Sequence, residues 1–207
     1  IYARSIPVVG IILTVFLLFW IWVNSKIYGY KRADLGLCFR PVSRRQWRAI
    51  LGFVLVFYSI IITIEILFPS EIKGDVTLVR LFFNAIFTLT FGPIFEELLF
   101  RGYIFTKSQD AFQSRSLSFS GFTISSASVF SCVAFGFWHF PTPIILYYFN
   151  DSLIEMYQSL FGFVVLASIL GIFLGEMRRR TNSLLPGMIL HLAANSTYIL
   201  SMVMQMV

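Results

Sequence analysis

Phe95-Glu96-Glu97-Leu98-Leu99-Phe100-Arg101 sets two adjacent carboxylates and a guanidinium inside an otherwise apolar stretch. An ionisable side chain at membrane depth costs about 2.5–3.5 kcal/mol on insertion scales, so two neighbouring acids in such a place point to a task. The stretch lies within Val79–Phe105, and comparable apolar runs of about 18–22 residues recur along the chain between short polar loops. Of the 207 residues, 57% are hydrophobic and only 13% charged, too little charge to cover the surface of a soluble domain of this size. The reading is therefore all-α, a polytopic transmembrane helical bundle of about six spans.

The spans are expected at Ile6–Val23, Ile50–Phe68, Val79–Phe105, Phe119–Trp138, Leu160–Met177 and Leu184–Val203. They form a single integral-membrane domain over 1–207, with two N-terminal spans in 1–78 and a core carrying the polar motifs in 79–207. Ile6–Val23 is too long and aromatic for a signal segment and no small-residue cleavage pattern follows it, so it reads as a retained span. The chain begins at Ile1 rather than Met, which leaves open whether residues precede it.

The formal net charge of +6 is not a nucleic-acid signature, because the basic residues sit in alternate loops. Asn24–Arg48 carries Lys26, Lys31, Arg32, Arg40, Arg44, Arg45 and Arg48 against Asp34 alone; Lys107 and Arg115 follow the third span, and Arg178–Arg180 the fifth. Pro69–Leu78 has only Lys73, and Phe140–Ser159 has no Lys or Arg but contains Asp151 and Glu155. This alternation puts the basic loops in the cytoplasm and both termini outside. Arg178–Arg180 reads as an anchor for anionic headgroups, and Trp20, Trp22, Tyr147 and Tyr148 as interfacial belts. Glu65, near a span end, reads as a snorkelling acid, Ile144–Phe149 as an interfacial patch and Ser108–Ser120 as an interfacial connection. Cys38 in a basic loop and Cys132 in an apolar run do not suggest a disulfide.

The polar residues inside the spans define the chemistry. On an α-helix Glu97 and Arg101 share a face, while Glu96 is about 140° from Arg101 in projection. Glu97 and Arg101 can then neutralise one another, leaving Glu96 directed to a cavity. Pro93 should kink this span just ahead of the glutamates and free backbone carbonyls. The chain's two histidines follow the same logic. Phe135 and His139 share a face, as do His191 and Asn195, with Ala193 and Ala194 permitting close approach of a neighbouring helix. A purely structural Glu–Arg cluster with hydrogen-bonded packing histidines stands as the alternative.

In order, Glu96-Glu97…Arg101, Phe135…His139 and His191…Asn195 resemble the EExxxR, FxxxH and HxxxN pattern of the CPBP family of intramembrane proteases, which includes the CAAX prenyl proteases and the Abi, or bacteriocin-processing, proteins. The resemblance extends to Gly102 and to Arg178–Thr181 leading into Leu184-Leu185-Pro186-Gly187, and covers about half the chain. It implies a CAAX prenyl protease 2-like intramembrane endopeptidase. Glu96 would activate water, His139 would hold or polarise it, His191 and Asn195 would donate to the oxyanion, and Glu97 and Arg101 would brace the helix. A metal-free mechanism is the preferred reading, since four residues supply the base and oxyanion roles. If the enzyme is a metalloprotease, Glu96, His139 and His191 form the zinc set. The implied partners are a membrane-associated, prenylated or leader peptide and the lipid bilayer, with no nucleic acid and an undefined oligomeric state. The compact chain looks like the bacterial branch, which implies the inner (plasma) membrane. A non-proteolytic immunity or scaffold protein of the same family is the first rival. A small transporter is the second, although the chain has no inverted repeat.

Overall fold

The computed structural model describes residues 2–38, 42–67, 77–113, 115–119, 122–141, 144, 153, 156–157 and 160–204. Arg40, Lys73, Pro143, residues 145–149, Asp151, Glu155 and the side chain of Glu65 lie outside the described part. The elements in chain order are α1 (Tyr2–Ile27), α2 (Arg44–Leu67), α3 (Leu78–Ile86), α4 (Gly92–Glu96), α5 (Phe105–Ala111), β1 (Ser116–Phe119), β2 (Phe122–Ser125), α6 (Ser126–His139), α7 (Ala167–Thr181) and α8 (Leu185–Met204). Among the described residues π-helical stretches lie between them: Phe87–Phe91 joins α3 to α4, Glu97–Ile104 joins α4 to α5, and Leu160–Leu166 leads into α7. The chain is thus mostly helical. Among the described residues two helical stretches, Leu81–Ala111 and Leu185–Met204, are long and apolar enough to cross a membrane, and Thr14–Ile27 is a shorter apolar one. That is fewer than the six spans expected.

The largest departure lies in the fourth apolar run. Its opening residues are not helical: β1 and β2 form an antiparallel hairpin pairing Leu117 with Ile124 and Phe119 with Phe122. The helix starts only at Ser126 because Ser125, in extended conformation, accepts the Ser128 backbone N–H at 3.0 Å and so caps the first turn. Glu176 of α7 completes this end, accepting from the Ser125 N–H at 2.8 Å and the Ser128 hydroxyl at 3.0 Å. The third run extends further than expected, to Ala111. Ser108, expected in an interfacial connection, is a buried residue of α5.

The chain packs as two compact units. The first comprises 1–29, 40–97 and 188–207, and the second 30–39 and 98–187. In the first, α1 packs on the stretch from Phe87 to Glu96. Here Pro93 acts through winding. The Gly92 N–H reaches five residues back to the Phe87 carbonyl, the π pattern, immediately before the residue that has no N–H to give.

In the second unit α6 lies along α7, and small residues set their separation. A Cβ on Gly175 would stand 3.0 Å from the Ser128 Cβ, and one on Gly171 3.3 Å from the Cys132 Cα. Across the seam the Cys132 thiol meets the Ser168 carbonyl at 3.1 Å. Arg178, expected as a headgroup anchor, is buried. Its guanidinium donates to the carbonyls of Asp34 at 2.5 Å and Arg101 at 3.3 Å and to the Asn182 side chain at 2.6 Å. Gly36, at φ +73°, passes against this guanidinium where any Cβ would collide, and its carbonyl accepts from the Leu184 N–H at 3.0 Å. The loop of residues 30–38 is therefore bound to its unit by Arg178. Arg179 pairs with Glu176 at 2.8 Å, and the Arg180 side chain remains 66% exposed.

Candidate active site

Two clusters hold the candidate residues, one in each unit. In the first, α4 ends on Glu96, the next residue Glu97 opens a π stretch, and α8 brings His191 against both. His191 Nδ1 lies 3.0 Å from Glu97 Oε1, and Nε2 lies 3.3 Å from Glu96 Oε2. Glu97 is wholly buried and His191 is 3% exposed, whereas the Glu96 side chain keeps 16% of its surface. One imidazole thus bridges two consecutive carboxylates. A neutral ring has a single N–H and satisfies one of them, while an imidazolium satisfies both. The arrangement sets one imidazole between two carboxylates, one of them partly accessible.

Asn195, four residues on along α8, does not meet the glutamates. Its Nδ2 donates to the Thr88 carbonyl at 3.1 Å. The Ser196 hydroxyl pairs with the Tyr58 hydroxyl of α2. Because Thr88 lies before Glu96 while Asn195 lies after His191, α8 runs antiparallel to the glutamate helix and is tied to it at two levels.

In the second unit, Arg101 is wholly buried and its guanidinium lies over the Phe135 ring at 4.1 Å. His139, the last residue of α6, stands edge-on to the same ring at 4.6 Å between centroids. Its Nδ1 lies 2.9 Å from the Phe135 carbonyl. A carbonyl only accepts, so Nδ1 carries a proton, and the neutral form of this ring has its lone pair on Nε2. The Phe-x-x-x-His spacing therefore does more than place two residues on one face. Phe135 supplies the ring that receives Arg101 and the carbonyl that sets the His139 tautomer.

The zinc set of Glu96, His139 and His191 can be tested on the donors. His191 Nε2 and Glu96 Oε2 are close enough to serve as two ligands, and Glu97 on Nδ1 would be an ordinary outer partner. Among the described residues, however, no three His, Cys, Asp or Glu side chains gather as a metal would require. No step below passes through a metal.

Sequence spacing named Glu96, Glu97, Arg101, His139, His191 and Asn195, and missed Thr88. Its signal was Pro93, whose missing N–H must leave an acceptor upstream.

Fold and site together define a helical integral-membrane protein with a glutamate–histidine cluster among its apolar helices. The chain belongs to the type II CAAX prenyl endopeptidase Rce1-like family, whose model matches residues 78–197, more than half the chain. The family is one of CAAX-type intramembrane proteases. Neither the curated proteins nor the solved structures contain a match.

Proposed function

We propose that this protein is an intramembrane endopeptidase that hydrolyses a peptide bond near the carboxy terminus of a membrane-associated, prenylated or leader peptide. The observation that carries the reading is His191 bridging Glu96 and Glu97 in a buried, apolar setting. Glu96, the more exposed carboxylate, takes a proton from water while the oxygen attacks the scissile carbonyl. The FxxxH pattern assigns to His139 the role of orienting that water, with Nε2 as the acceptor. As Glu96 becomes protonated its hold on His191 Nε2–H weakens, and that N–H turns to the developing oxyanion, where a fixed donor in a water-poor site is most effective. Glu97 keeps the other end of the ring in place. Glu96 then passes its proton to the leaving amine, which breaks the C–N bond and restores the carboxylate. The basic loops face the cytoplasm, so the scissile bond is presented from that side of a bacterial inner membrane.

The test is cleavage of quenched fluorescent peptides, with and without a prenyl group, by purified protein in detergent. Glu96→Gln is expected to reduce turnover by about 10²–10⁴-fold, and His139→Ala and His191→Ala by about 10²–10³-fold. Turnover unchanged in Glu96→Gln would sink the mechanism. Absence of cleavage for every peptide would favour an immunity factor or scaffold.

A further inference from the structure

We infer that the Asn195 side chain replaces the backbone N–H that Pro93 lacks, and so acts as a positioning residue for the helix turn that presents Glu96 and Glu97. The Thr88 carbonyl has two routine backbone donors, the N–H four residues on in an α turn and the N–H five residues on in a π turn. The first belongs to Gly92 and is already given to the Phe87 carbonyl. The second belongs to position 93, which is proline. The Asn195 Nδ2 arrives at that carbonyl at 3.1 Å. A carbonyl left without a donor in an apolar interior is costly, and an amide from a neighbouring helix is a recognised way of meeting the need in a membrane.

The bond also has a mechanical consequence. His191 meets Glu96 and Glu97 at one level, and Asn195 meets Thr88 at a second. Two fixed points between antiparallel helices prevent both sliding and rotation, so the His191 ring stays in register with the two carboxylates. Asn195 thus acts through the helix, and its amide need not touch substrate. This deepens the endopeptidase reading and rests on it where turnover is measured.

A double-mutant cycle with Pro93→Ala tests the inference. Alanine in place of the proline restores an N–H, so the Thr88 carbonyl regains a backbone donor and Asn195 becomes dispensable there. In the wild-type background Asn195→Ala is expected to lower kcat by about ten- to a hundredfold with KM unchanged, at temperatures where the variant remains folded. In the Pro93→Ala background the same change is expected to cost no more than about threefold. An equal loss in both backgrounds overturns the inference and returns the amide to the oxyanion. The isosteric Asn195→Asp, which exchanges the donor for an acceptor, serves the same cycle if the alanine variant does not fold. Thermal unfolding of the four proteins in detergent gives a readout independent of turnover. Asn195→Ala should lower Tm in the wild-type background and leave it nearly unchanged in the Pro93→Ala background, and an equal Tm loss in both overturns the pairing. Absent cleavage with a positive Tm cycle would refute the protease while leaving the Asn195–Pro93 relation standing.

Discussion

At the scale of single residues, His191 is the group on which the site turns, because both of its nitrogens are committed to carboxylates. Glu97→Ala removes one partner from a buried charged cluster and should cost about 3–5 kcal/mol of stability, whereas Glu97→Gln keeps an acceptor on Nδ1 and should fold. Unfolding in detergent separates the two. Spacing alone identified these polar residues, since acids and imidazoles stand out in hydrocarbon-like sequence. Their partners were less legible. The projection that set Glu96 about 140° from Arg101 assumed α geometry, and Glu97–Ile104 is π-wound, so that angle does not apply. The structure records Glu97 on His191 and Arg101 over Phe135. A partner on another helix leaves no trace in local periodicity.

At the scale of elements, α6 and α7 approach through Gly171, Gly175 and the small residues opposite. Gly175→Ala forces a Cβ against Ser128 and should destabilise the protein by about 1–3 kcal/mol. Gly52 in α2 has nothing within 4 Å of its would-be Cβ, so Gly52→Ala should be neutral or slightly stabilising, and the two melting curves make the comparison. The helices were legible from their apolar runs; the hairpin was hidden in one of them. Its signals are present in the sequence: Leu117, Phe119, Phe122 and Ile124 alternate with polar or small residues around Ser120-Gly121, a turn dipeptide. The alternation merges with the apolar run that follows. The π turns had no signal of their own beyond Pro93.

At the scale of the whole molecule, one cation that a loop count assigns to the membrane surface belongs instead to the interior. Arg178 holds the Asp34 and Arg101 carbonyls, and Thr106 adds a second bond to Asp34 at 2.9 Å. Arg178→Ala should free the loop and raise the rate of tryptic cleavage at Lys31 and Arg32, read by mass spectrometry, while Arg180→Ala should leave it unchanged. The positive-inside rule counts charges without regard to burial, which is why the sequence placed Arg178 with its neighbours.

The late start of α6 has a further consequence. A helix of 14 residues rises about 21 Å, against about 30 Å of hydrocarbon in a typical bilayer. An apolar helix shorter than the hydrocarbon layer is met by local thinning of the lipid beside it. Thinning shortens the path by which water reaches the depth of a buried side chain. On the endopeptidase reading, turnover of the quenched peptides is expected to be higher in short-chain than in long-chain vesicles.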